Sequence, residues 1–236
     1  MKTNGNTVLK EIPGHLDPGA IVHNHLHISE DDHSYTGPET PLHPDAFRIS
    51  DKDKMELIED QFRKIMNILG LDLSDDSLKN TPKRVAKMYI EEIFSGLDPK
   101  NKPRITLFEN KYHYNEMLVE KNITVNSYCE HHFVPITGKA HVAYISNGKV
   151  IGLSKINRLV QYYSKRPQVQ ERLTIQIAEA LKEALNTNDV AVFLDTTHMC
   201  VTMRGVQDAN SSTVTSSFHG AFKDPVRRRE FLDIIR

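Results

Sequence analysis

Two cysteines, the only ones in the chain, each stand beside histidines, in Cys129-Glu130-His131-His132 and in His198-Met199-Cys200. A Cys-x-x-His pair lets a thiolate and an imidazole reach one ion from a single turn, and a remote cysteine can add a third donor. Cys129, His132 and Cys200 therefore form a candidate Cys₂His set for Zn²⁺. Three protein ligands leave one tetrahedral position open, the mark of a catalytic site, and an ion held so lowers the pKa of a bound water toward about 7. His131 and His198 would flank the ion as proton carriers, since imidazole titrates near neutral pH. Glu130 can orient a ligand from behind or simply be solvated. Buried, inert cysteines are the competing reading, but it leaves the clustered histidines unexplained.

A second group lies in Gly152-Leu153-Ser154-Lys155-Ile156-Asn157-Arg158. Here a strand ends, Ser154 caps a helix, and Lys155 and Arg158 occupy adjacent turns. Free backbone N–H groups beside two cations suit a phosphate, although a solvated basic helix start reads the same way. Arg204, beyond Cys200, can add a cation, and so can Arg84 and Lys87 if a neighbouring chain presents their helix. A third group, Arg166-Pro167-Gln168-Val169-Gln170-Glu171-Arg172, turns the chain and places Gln170 and Glu171 at a helix start. A carboxylate there can accept two N–H bonds from a guanine edge; equally, it can serve only the helix dipole.

The elements that must carry these groups follow from periodicity. Residues 1–49 read as a poorly ordered arm rich in proline and histidine, with His23, His25 and His27 a weak metal-binding alternation. Residues 50–104 read as a helical region. Ser50 caps a helix with Met55, Ile58, Phe62, Ile65, Met66 and Leu69 on one stripe, ended by Gly70; Thr81-Pro82 opens a second, stopped near Gly96. From 105 to 236 the pattern gives an α+β catalytic domain. Strands are expected at 105–109, 122–128, 139–146 and 149–153, with Asn147-Gly148 as a hairpin turn. Helices follow from Ser154 to Arg166 and from Val169 to Leu185. A strand pair at 190–195 and 199–204 comes next, with His198 in its loop, and then a short helix from Asp224-Pro225. That order puts two adjacent helices on one face of an antiparallel sheet.

Bulk properties bound the rest. The chain has 236 residues, 39% hydrophobic and 26% charged, as ordinary globular proteins do. A net charge of −1 argues against broad nucleic-acid binding. No apolar run approaches a membrane span, no signal-peptide layout opens the chain, and thiols placed among histidines suit a reducing cytoplasm.

Taken together, Cys129-Glu130-His131-His132-Phe133, Gly152 to Arg158, Arg166 to Thr174 and His198-x-Cys200 resemble the zinc-dependent GTP cyclohydrolase I family. The likeness extends through Thr81-Pro82-Lys83-Arg84 and Phe94-Ser95-Gly96-Leu97, from about residue 52 to the end. It implies a tunnelling fold, a four-stranded antiparallel sheet backed by two antiparallel helices with an N-terminal helical extension. It also implies a homodecamer of two five-membered rings, with sites between subunits. The implied reaction converts GTP and water to 7,8-dihydroneopterin triphosphate and formate, opening the route to tetrahydrofolate and other pterins. Zn²⁺ would sit on Cys129, His132 and Cys200; His198 would protonate N7 and His131 would assist. Ser154 would help the ribose rearrange, and Glu171 with Gln170 would hold the guanine. Lys155, Arg158 and Arg204 would clamp the triphosphate, joined by Arg84 and Lys87 of a neighbour. Two rivals remain: another tunnelling-fold enzyme of pterins or deazapurines, and a zinc-stabilised binding module with a closed four-ligand shell.

Overall fold

The computed structural model describes residues 37–236. The histidine alternation at 23–27 and most of the arm lie outside them. Where the arm enters the described residues it is bonded to the body. The Gly37 carbonyl accepts from Arg172 Nε at 3.0 Å, and the Pro38 carbonyl from Gln176 Nε2 at 3.0 Å.

The first helices start where local chemistry directs. The hydroxyl of Ser50 accepts the Asp53 amide at 3.2 Å to begin α1 (Asp51–Ile68), and acidic Asp51 and Asp53 complement the helix dipole. Gly70, at φ +79°, turns the chain out of it, a conformation open to glycine without a Cβ clash. α2 (Thr81–Lys87) carries Pro82 in its first turn, but Asn80 occupies the cap position expected for Thr81, and no side chain caps it. The helix continues as a wider π-helical stretch, Met88–Ile93.

Strands then dominate: β1 (Leu107–Glu109), β2 (Met117–Cys129), β3 (Pro135–Ile145) and β4 (Lys149–Ile151). α3 (Leu153–Ser164), β5 (Pro167–Gln168), α4 (Gln170–Leu185), β6 (Val190–His198), α5 (Met199–Thr202), β7 (Thr213–Phe218) and α6 (Pro225–Ile235) follow. The main sheet runs β5-β2-β3-β6-β7: four antiparallel strands, plus two-residue β5 lying parallel on the edge of β2. α3 and α4 cover one face, as the sequence pattern requires. Ile156, Leu159 and Val160 of α3 and Leu173, Ile177 and Leu181 of α4 bury against Ile123, Val125, Ala140, Val142 and Leu194 of the sheet. Truncating any one of those large side chains to alanine would cost about 2–5 kcal/mol. A smaller cluster on the opposite face, built on Phe222 and Phe231, seats α6, whose cap is Asp224.

Three expectations are corrected. The Asn147-Gly148 turn forms, with Gly148 at φ +81°, but it does not join a hairpin. Both edges of β3 are already taken by β2 and β6, so β4 pairs with β1 in a separate two-stranded sheet. The strand expected at 199–204 is instead the helical turn α5, because β7 occupies the free edge of β6. Arg204 therefore follows a helical turn, and His198 is the last residue of β6, paired with Ile136, rather than a loop residue. Finally, Gly152 rather than Ser154 is the α3 cap; Ser154 lies in the first turn. Among the described residues, no helix is long and apolar enough to cross a membrane.

Candidate metal centre and active site

Strand ends gather the donors. Cys129 terminates β2, and the chain turns back at once: the Phe133 amide donates to the Cys129 carbonyl at 2.8 Å, and the Cys129 amide to the Val134 carbonyl at 2.9 Å. That turn needs Phe133 at φ +55°, an unfavourable conformation for a non-glycine residue. Its ring is held in compensation against Phe94 at 5.0 Å between centroids, and Phe94 in turn meets Tyr128 at 5.6 Å. This aromatic brace from the helical region was not anticipated from the sequence; its only signal was the aromatic content of Tyr89, Phe94 and Phe133.

Cys200 arrives on α5, directly after β6. The donor atoms of Cys129, His132 and Cys200 all lie within 4.8 Å of one another. Cys129 is buried, whereas His132 opens toward solvent. His132 Nδ1 faces Cys129 Sγ at 3.9 Å, and Arg204 Nη1 meets His132 Nε2 at 2.9 Å. Burial, and then the neighbouring Cys129 thiol, push the Cys200 thiol above its ordinary pKa. A buried thiol held protonated beside a second sulfur and an imidazole is the donor chemistry a divalent cation stabilises, because the ion deprotonates coordinating thiols outright. The residues fit Zn²⁺.

The flanking histidines are present too. His131 Nδ1 lies 3.6 Å from Cys129 Sγ, and its Nε2 is 3.8 Å from Glu130. Glu130 is gripped by both terminal nitrogens of Arg172, whose side chain is only 3% exposed. β5 brings this about. Gln168 pairs with Cys129 and its carbonyl accepts the Glu130 amide at 3.0 Å, so the start of α4 lies against the ligand turn. Arg172 was legible only as a residue in the third motif.

His198 stands at the same end of the sheet. Burial lowers its pKa, and the carboxylate of Glu171 partly offsets that. Glu171 itself is exposed at the start of α4. Gln170 is 2% exposed, and its amide is committed within the fold: Nε2 donates to the Thr213 carbonyl at 2.9 Å and the Leu194 carbonyl at 3.4 Å. Its Oε1 takes Thr196 Oγ1 and His198 Nε2, both at 2.7 Å.

The remaining candidates lie on α2 and α3. Ser154 and Arg158 are exposed on α3, and Arg158 lines a cavity of about 320 Å³ with Ser95, Gly96 and Lys165. Lys155 follows the Gly152 cap, to whose carbonyl its amide donates at 2.8 Å. Arg84 and Lys87 are exposed on α2, where Lys87 pairs with Glu91 at 3.6 Å.

Fold and site define an α+β protein with a three-donor, metal-type centre at one end of its sheet, flanked by two histidines. Residues 58–236 match the family profile described as GTP cyclohydrolase I. A GTP cyclohydrolase 1 of Flavobacterium johnsoniae is 58% identical over 218 residues, 92% of this chain and 98% of the relative. One from Vibrio parahaemolyticus is 56% identical over 201 residues, 85% of this chain and 92% of the relative. The chain belongs to the GTP cyclohydrolase I family.

Proposed function

We propose that the centre at the sheet end carries out the family's reaction, in which GTP and water become 7,8-dihydroneopterin triphosphate and formate. The observation that carries this reading is the convergence of Cys129, His132 and Cys200, whose donor atoms come within 4.8 Å. Those three would hold Zn²⁺, which when bound supplies Lewis acidity and an acidified water. Glu171, exposed beside His198, would accept two N–H bonds from the guanine edge and so select guanine over adenine. His198 would deliver a proton to N7 as the imidazole ring of the base opens. His131, with Glu130 fixed behind it by Arg172, would move protons around the hydrated carbon. Arg204, next to His132, would draw in the triphosphate, which stays attached and serves for binding and orientation. Ser154 would assist as the ribose rearranges.

Arg158 lines a cavity with Ser95, Gly96 and Lys165, a set without any of the three donors, which supports a site completed by a second copy of the chain. So does the apolar face of α1. Leu57 and Ile65 are exposed and Ile58 and Phe62 only half-buried along an open groove of about 620 Å³. We take the assembly to be a decamer of two rings built on a tunnelling fold, with Lys155, Arg158, Arg84 and Lys87 contributed across interfaces. The reaction feeds pterin and tetrahydrofolate synthesis, and a reducing cytoplasm suits the two thiols. The test is incubation of the full chain with GTP and Zn²⁺, following formate and, after oxidation, a fluorescent pterin. Absence of both products would sink the assignment.

A further inference from the structure

We propose that Gln170 is a positioning residue that fixes the tautomer and aim of the His198 ring. The inference rests on the role given to His198 above and deepens it. An amide side chain can be read either way round, and here its surroundings decide. The two main-chain carbonyls of Thr213 and Leu194, at 2.9 and 3.4 Å, can only accept, so the atom facing them must be the NH₂ group. Reversing the amide would press a buried oxygen against two others. Oε1 is thereby turned to His198, and an acceptor at 2.7 Å from Nε2 requires that nitrogen to carry the hydrogen. The neutral ring is then the Nε2–H form, and Nδ1 alone is left to exchange a proton with substrate.

The fold makes this setting rigid. Gln170 is the first residue of α4, Thr196 and His198 stand near the end of β6, and Thr213 opens β7. One buried amide therefore ties three elements together beside the proton carrier, and it has no remaining donor or acceptor for a guanine edge. A ring held by its far nitrogen keeps its near nitrogen aimed: with Nε2–H fixed on Gln170, Nδ1 takes up a proton from solvent and is the one nitrogen that can pass it to N7.

The decisive measurement is solid-state ¹⁵N NMR of the zinc-loaded full chain with labelled histidine at pH 8. His198 signals are identified by their loss in His198→Ala. A proton on Nε2 is expected; a proton on Nδ1 would overturn the proposal whatever the enzyme's activity. The kinetic arm uses Gln170→Met, similar in length but unable to bond the ring, beside Thr196→Val, which removes a different bond to the same amide. Gln170→Met should lower kcat by about 10²-fold with KM for GTP and zinc content within about threefold, and it should add little to the loss in His198→Ala. Thr196→Val should keep kcat within about threefold. Equal kcat losses in the two variants would mean general damage to the network. Raised KM, or a weakened preference for GTP over ATP in Gln170→Met with kcat kept, would mean guanine contact. Either result defeats the proposal. If Gln170→Met does not fold, the ¹⁵N result on the unaltered chain still decides. A wild-type chain that releases no formate would defeat the functional reading alone.

Discussion

Cys200 matters as a donor only because α5 turns it back toward a thiol and an imidazole from a different strand pair. Serine in its place would offer an oxygen that stays protonated at neutral pH and binds zinc poorly. Cys200→Ser is therefore expected to cut zinc retained after dialysis from near one per chain to less than about a tenth. GTP turnover should fall at least about 10²-fold with it. Atomic absorption and formate release check the two together, and a serine variant keeping both would remove Cys200 from the centre. The donor types were plain in the sequence at this scale, because Cys-x-x-His works within one turn. The commitment of Gln170 was not, because its four partners come from β6 and β7, between 24 and 43 residues away.

Among the elements, the close crossing of Gly96 with the end of α3 supports the ligand turn. A Cβ on Gly96 would overlap the carbonyl oxygens of Tyr162 and Lys165, while its own amide donates to the Lys165 carbonyl at 2.9 Å. Backbone cannot yield as a flexible side chain can, so Gly96→Ala should cost about 3 kcal/mol or more in urea unfolding. Displacing neighbouring Phe94 should also loosen the brace on Phe133 and weaken zinc retention. Unchanged stability would mean that this crossing tolerates a Cβ after all. The sheet face opposite α3 and α4 predicts a pH response. His141 on β3 is 6% exposed, its Nδ1 has no partner among the described residues, and its ring packs edge-on to Phe193 at 6.0 Å. Burial lowers its pKa below the ordinary 6.5, with Lys139 and Lys121 adding to the shift and Asp195 opposing it. Between the two values the unfolded chain binds more protons than the folded one. The stability it contributes is thus full above pH 6.5 and lost as pH falls through the lower folded value. Thermal melts should show the wild type losing Tm on acidification from pH 7 toward 5, with a shallower slope in His141→Phe. Equal slopes would assign the acid sensitivity elsewhere.

For the whole molecule, the prediction concerns shared sites. If Glu171 and Lys155 serve one GTP from two different chains, Glu171→Ala and Lys155→Ala subunits should each be nearly inactive alone. Assembled together from a mixed, denatured pool, they should recover about a quarter of wild-type turnover, since some sites then receive neither defect. Sedimentation should accompany this with a particle about ten times the 27.0 kDa chain. No recovery in a correctly sized particle would place both residues on the same chain's site. The apolar face of α1 belongs to this scale as well: its period forecast burial, yet within one chain Met66 is buried while Ile65 and Leu69 stay exposed.

What the sequence determined by itself is what neighbouring residues settle among themselves. Ser50 and Asp224 cap helices, Pro167 breaks one, α3 and α4 turn apolar stripes to a sheet, and Cys129 and His132 stand at ligand spacing. These depend on bonds and contacts reached within a turn or two of chain. Tertiary structure decided everything that requires distant segments to compete for one edge or one partner. β4 left the Asn147-Gly148 turn for β1 because β3 had no free edge, and Met199–Thr202 became a helical turn because β7 had taken β6. β7 itself, Thr-Val-Thr-Ser-Ser-Phe, carries too little apolar alternation to announce a strand. Edge pairing and amide orientation are settled by what arrives alongside, and no local pattern encodes an arrival from forty residues away.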